Sequence, residues 1–118
     1  AEEVLARRGR WTPRELPSLA WSFARQSAGG DDIFQTISAE ATAKLKDFEA
    51  QGLSNLAWAF ARRSIAEVQL FNRVAQQACV NLCTFKPQDI SNLVWAFAVV
   101  GVHDEVLFYL AAGEAVRQ

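Results

Sequence analysis

The sequence predicts an all-α fold, an α-solenoid of stacked antiparallel helix pairs, and three observations carry that prediction. One octapeptide recurs: residues 54–61 read SNLAWAFA, 91–98 read SNLVWAFA, and 17–24 read PSLAWSFA. The spacing is fixed, since Trp21, Trp58 and Trp95 lie 37 residues apart. Apolar residues follow the period of a helix, and no segment alternates as a strand does. A repeat of this length marks a stacked array, because one helix pair cannot bury its apolar face alone.

Aligned at 37 residues, the columns match without a gap. Leu16, Leu53 and Ile90 share a column, as do Leu19, Leu56 and Leu93, then Phe23, Phe60 and Phe97, then Ala24, Ala61 and Ala98. Further on, Ile33, Leu70 and Leu107 match, followed by Phe34, Phe71 and Phe108. Trp11 takes the column of Phe48 and Phe85. The chain therefore reads as a single array over 1–118. Residues 1–11 are the tail of a preceding repeat, 12–48 and 49–85 are whole repeats, and 86–118 is an incomplete one. Both ends cut through a repeat, so a piece of a longer array is expected.

Each unit reads as two helices, roughly seven in all. In the first helix, Leu16, Leu19, Ala20, Phe23 and Ala24 fall on one face. Thr12, Pro13 and Glu15 form a capping box with proline at the first helical position, where its missing N–H matters least. Trp11 with Leu16, Phe48 with Leu53, and Phe85 with Ile90 are placed as hydrophobic staples. Pro87 repeats the early proline. Gly29, Gly30 and Gly101 break the chain after the first helix. Asp31, Asp32, Asp104 and Glu105 then suit the positive end of the second helix. Its buried face is Ile33, Phe34, Ile37, Ala41 and Leu45.

Composition narrows the function. Twelve basic residues stand against 13 acidic ones in 118, for a net charge of −1. A strongly basic nucleic-acid binder would look different, although a local basic stripe is compatible with a neutral total. No apolar run approaches the ~18 residues of a membrane span, so direct membrane insertion is not expected. Cys79 and Cys83 read as ordinary thiols, because a zinc site needs four convergent ligands and the single His103 lies far along the chain. No Ser-His-Asp set, Cys-His set or Gly-rich phosphate loop is present, and Glu40 has no partner carboxylate. The expectation is a binding protein rather than an enzyme, with no cofactor and no metal.

The polar face of the first helix is the candidate site. On a helical wheel, Arg14, Ser18 and Arg25 oppose the apolar face. Their column mates are Gln51, Asn55 and Arg62, then Gln88, Asn92 and Val99. Amides and small hydroxyls pair with base edges, and guanidinium grips phosphate or guanine. One such set per helix pair is the logic of one-base-per-repeat RNA readers. The candidate RNA-contacting residues are therefore Arg14, Ser18, Arg25, Gln51, Asn55, Arg62, Gln88 and Asn92. The same residues would also serve as an ordinary solvated or protein-binding face. Two roles are open to Trp21, Trp58 and Trp95: stacking on a base, or packing between repeats. The small residues Ser22, Ala59 and Ala96 on the opposite flank favour packing.

The stretch ISNLVWAFAVVG (90–101), preceded by FKP and followed by a helix opening EVLF, resembles the heptatricopeptide repeats and is similar to the octotricopeptide repeats. The resemblance rests on the units 49–85 and 86 onward. The first unit departs from it, with Pro17 and Ser18 in place of the Ser-Asn pair. The resemblance implies an α-solenoid in a mitochondrion or chloroplast. It also implies binding to single-stranded or ribosomal RNA, in support of processing, stability, translation or ribosome assembly. The alternative it leaves open is a protein scaffold or accessory subunit of a large organellar complex.

Overall fold

The computed structural model describes residues 6–7, 9–26 and 30–117, with side chains as far as Glu114. Gly29 and most of the expected leading tail lie outside the described residues. Six α-helices occur among the described residues, and no strand. They are α1 (Glu15–Arg25), α2 (Asp31–Lys44), α3 (Ala50–Arg62), α4 (Val68–Asn81), α5 (Pro87–Val100) and α6 (Glu105–Arg117). None is long and apolar enough to cross a membrane. Short 3₁₀ turns, Leu45–Asp47 and Leu82–Thr84, close α2 and α4. The second helices of the pairs start at residues 31, 68 and 105, which keeps the interval seen in the sequence.

The helix starts carry the expected caps. Thr12 Oγ1 accepts the Glu15 N–H at 3.1 Å, and the Thr12 N–H donates to Glu15 Oε1 at 3.0 Å. That N–H, more than any other neighbour, holds the Glu15 carboxyl below the usual carboxylate range. The Leu16 N–H already reaches the Thr12 carbonyl at 3.0 Å, so the first turn closes before the regular helix at Glu15. At α5 only half of a capping box forms: the Lys86 N–H donates to Asp89 Oδ2 at 3.2 Å, and an ammonium has no lone pair to return. Asp104 caps α6 by accepting the Leu107 N–H at 2.8 Å.

The ends of α3 and α5 share one geometry. After α5, the Val102 N–H reaches the Phe97 carbonyl and the Gly101 N–H reaches Ala98, with Gly101 at φ +76°. After α3, the Ile65 N–H reaches Phe60 and the Ser64 N–H reaches Ala61, with Ser64 at φ +59°. Both are Schellman motifs, but only Gly101 takes the left-handed conformation without a Cβ clash. Ser64→Gly should therefore raise stability by roughly 0.5–1 kcal/mol, and Gly101→Ala should lower it by about 1 kcal/mol, measured by urea unfolding.

The core is continuous along the chain. Phe34, Phe60, Phe71 and Phe97 are fully buried and meet edge to face in pairs, Phe34 with Phe60 at 5.2 Å and Phe71 with Phe97 at 5.0 Å. Ile33, Ile37, Ala41 and Leu45 are buried as expected, and so are Trp11, Phe48 and Phe85 with their staple partners Leu16, Leu53 and Ile90. The described molecule measures 44 × 25 × 22 Å. Its long axis is about twice the ~21 Å of a 14-residue helix, so it runs across the helices.

The two helix layers differ in spacing. α1 packs closely on α3, and α3 on α5, whereas α2, α4 and α6 stand further apart. Small residues permit the close approach. Ala20, Ala24, Ala57, Ala59, Ala61 and Ala96 are all buried in the first-helix layer. A Cβ on Gly52 would lie 3.2 Å from Pro17 Cγ. One repeat later the same seam is polar: the buried Ser54 hydroxyl donates to the Asp89 carbonyl at 2.8 Å. Ser54→Ala should cost about 1 kcal/mol, read as a lowered urea midpoint. With one layer tight and the other splayed, the array bends, and the outer faces of α1, α3 and α5 line its concave side.

Candidate nucleic-acid interface

The concave side is built from the polar positions of the first helices. Arg14, Ser18, Gln51 and Gln88 are exposed, while Asn55 and Asn92 are half-buried in the hollows between helices. Two clefts adjoin there. A cleft of 930 Å³ is lined by Gln51, Asn55, Gln88 and Asn92, with Trp21 as one wall and Lys86 at its edge. A second, of 560 Å³, is lined by Arg14, Ser18, Gln51 and Asn55. The two share Gln51, Asn55 and Glu49. Six of the eight residues expected from the wheel therefore meet on one continuous surface.

Arg25 and Arg62 line neither cleft. Each turns back over the tryptophan one turn earlier on its own helix. Arg25 stands 4.7 Å from the Trp21 ring centre and Arg62 stands 5.6 Å from that of Trp58. The Trp21 and Trp58 rings lie 6.1 Å apart, tilted by 35°. The four side chains form a strip beside the clefts, with the guanidinium groups on its exposed side. Trp95 is 45% exposed, and the residue one turn after it, in the column of Arg25 and Arg62, is Val99, so no arginine from that column covers its ring. Arg63 is employed otherwise: its guanidinium lies over Phe34 at 4.9 Å and donates to the Phe23 carbonyl at 3.5 Å.

Some lining residues escaped the wheel. Asn81, Thr84 and Lys86 reach the larger cleft from the end of α4 and the segment that joins it to α5. Their signal lay in position rather than type, since each sits just ahead of a first helix. Carboxylates enter the clefts as well. Asp89 lines the larger one, Asp47 the smaller, and Glu49 both. Glu49 is engaged by Arg14 at 3.3 Å, an exposed pair worth little to stability. The surface is thus rich in amides and close to neutral, suited to hydrogen-bonded recognition more than to a strong electrostatic pull.

The family model of the RNA-editing substrate-binding complex 6 protein matches residues 4–117, nearly the whole chain. The chain belongs to that family. No curated protein and no solved structure matches it. In this member of the RNA-editing substrate-binding complex 6 family, the matched region contains both clefts and the arginine-tryptophan strip.

Proposed function

We propose that the chain is an RNA-binding helical-repeat module of an organellar RNA-editing assembly. One observation carries this reading: the amides of two successive first helices, Gln51 and Asn55 with Gln88 and Asn92, converge on a single cleft. An amide offers a donor and an acceptor together, which is what a base edge requires. Trp21 supplies a flat apolar wall beside them, against which a base can stack. The family is that of an RNA-editing substrate-binding complex protein, and a substrate of RNA editing is RNA.

The array is a 37-residue solenoid of the heptatricopeptide or octotricopeptide kind. Supporting this are the recurring helix starts, the paired Schellman ends and the repeated 3₁₀ closures. Residues 1–11 belong to a leading unit, 12–48 and 49–85 are whole units, and 86–118 is a partial one. The module acts by binding rather than by catalysis, in a mitochondrion or chloroplast. Its ligand is single-stranded or ribosomal RNA, presented among the protein subunits of the assembly.

Replacing Gln51, Asn55, Gln88 and Asn92 together by Ala should weaken RNA binding at least about tenfold, with thermal stability little changed. Full RNA retention by that variant in a filter-binding assay would overturn the reading. A second reading, a protein scaffold, draws on the carboxylates Asp47, Glu49 and Asp89 in the clefts. It expects no RNA retention at physiological salt by the unaltered chain.

A further inference from the structure

A carboxylate repels phosphate, yet Glu49 and Asp89 both line the larger cleft. The two differ in setting. Glu49 is exposed and engaged by the exposed Arg14 at 3.3 Å. Asp89 is half-buried and fixed at two points: its carbonyl accepts the Ser54 hydroxyl at 2.8 Å, and its Oδ2 accepts the Lys86 N–H at 3.2 Å. The second contact is a helix cap, but capping does not exhaust the group, since a carboxylate offers about four lone-pair sites on its two oxygens. Nor does every first helix need an acid in this column. Gly52 holds it in α3, and Glu15, which holds it in α1, lines neither cleft. Of the three, Asp89 alone brings a fixed acceptor to the amides.

We propose that Asp89 makes this cleft select bases that carry an exocyclic amino group, cytosine, adenine or guanine, over uracil. The inference deepens the RNA reading of the same cleft and rests on it. Hydrogen-bond polarity decides the preference. The amides of Gln51, Asn55, Gln88 and Asn92 each carry a donor and an acceptor, and turning an amide over exchanges them, so they suit any base edge. Lys86 donates only, but it is exposed at the edge of the cleft, where an ammonium suits phosphate. Asp89 accepts only, so a base seated against it must present a donor. Cytosine presents its N4 amino group, adenine N6 and guanine N2. In a single strand these edges are unpaired and accessible. Uracil presents two carbonyl oxygens with its one N–H between them, so a carboxylate that reaches that N–H is repelled by both. The half-buried setting sharpens the difference, because a carboxylate facing a carbonyl there loses water without gaining a bond. Asp89 thus reads the base, whereas Lys86 meets the phosphate.

Fluorescence titration with oligocytidine and oligouridine of equal length, at one salt concentration, tests this, since the phosphate contribution is then the same for both. Oligocytidine should bind the unaltered chain at least about tenfold tighter, the worth of one hydrogen bond to a charged group. A uridine strand carrying one guanosine should also bind tighter than the same strand carrying one inosine, which lacks only the amino group. In Asp89→Asn the Lys86 N–H keeps an acceptor, while the new amide can donate to a uracil carbonyl. The ratio of cytidine to uridine affinity should therefore fall to near unity. A merely structural role, or the loss of a negative charge, would move both affinities together and leave the ratio. Equal binding within either pair, or tighter binding of oligouridine, by the unaltered chain overturns the inference and leaves the RNA reading standing. So does a preference that persists in Asp89→Asn. Should that variant not fold, the two comparisons on the unaltered chain still decide. Retention of none of the strands overturns the RNA reading, and the inference with it.

Discussion

Phe60→Ala should lower folding stability by about 3–5 kcal/mol. Phe60 is fully buried, stands edge to face with Phe34 at 5.2 Å, and belongs to the helix that touches both α1 and α5. Removing the ring opens a cavity where α2 and α3 meet, and the neighbouring alanines are too short to collapse into it. In a stack whose units are held by their neighbours, a loss at the middle helix weakens both seams at once. Trp58→Ala, two residues earlier, should cost less, about 1–3 kcal/mol, because its ring is only half-buried. Urea unfolding of the two variants checks the order. If Trp58→Ala cost more than Phe60→Ala, the tryptophan rather than the phenylalanine would be the keystone of the seam.

Arg25→Glu combined with Arg62→Glu should give the largest functional effect. Both guanidinium groups are exposed and lie over tryptophan rings beside the clefts. On the proposed RNA reading, they would meet the phosphates of a strand whose bases enter the clefts. Each phosphate contact releases counterions, so losing two should reduce the salt slope of log K by roughly 1.4 for single-stranded RNA. Affinity at physiological salt should fall at least about tenfold. The fold should persist, since each exposed cation–π contact contributes only about 0.5–1 kcal/mol. Titration of a labelled oligonucleotide at several salt concentrations reads both quantities. Parallel salt curves for the double variant and the unaltered chain would remove these arginines from the RNA path.

Much of the fold was legible because the repeat states each helix more than once. The period placed the fully buried phenylalanines and the staples, and the local Thr12-Pro13-Arg14-Glu15 pattern placed the cap at Thr12. The seam was partly legible as well: Ala59 and Ala96 are buried where small residues were expected to receive a neighbour. What the columns hid was depth along the helix. A wheel groups Arg14 with Arg25 because their angles agree, but eleven residues separate them by about 16 Å of helix axis. Arg14 therefore lies at the clefts while Arg25 stacks on Trp21 beyond them. The clefts were equally hidden, since they arise from the unequal spacing of two helix layers and not from any single segment. The left-handed Ser64 carries no mark of its own; only its alignment with Gly101 points to it.

The central claim is that the amide-lined concave face contacts RNA. A photoreactive amino acid placed at Gln51, an exposed position shared by both clefts, tests it most directly in the assembled complex. The account predicts an adduct that nuclease shortens and protease treatment of the partners leaves in place. An adduct only to polypeptide, with RNA present in the same complex, would contradict it.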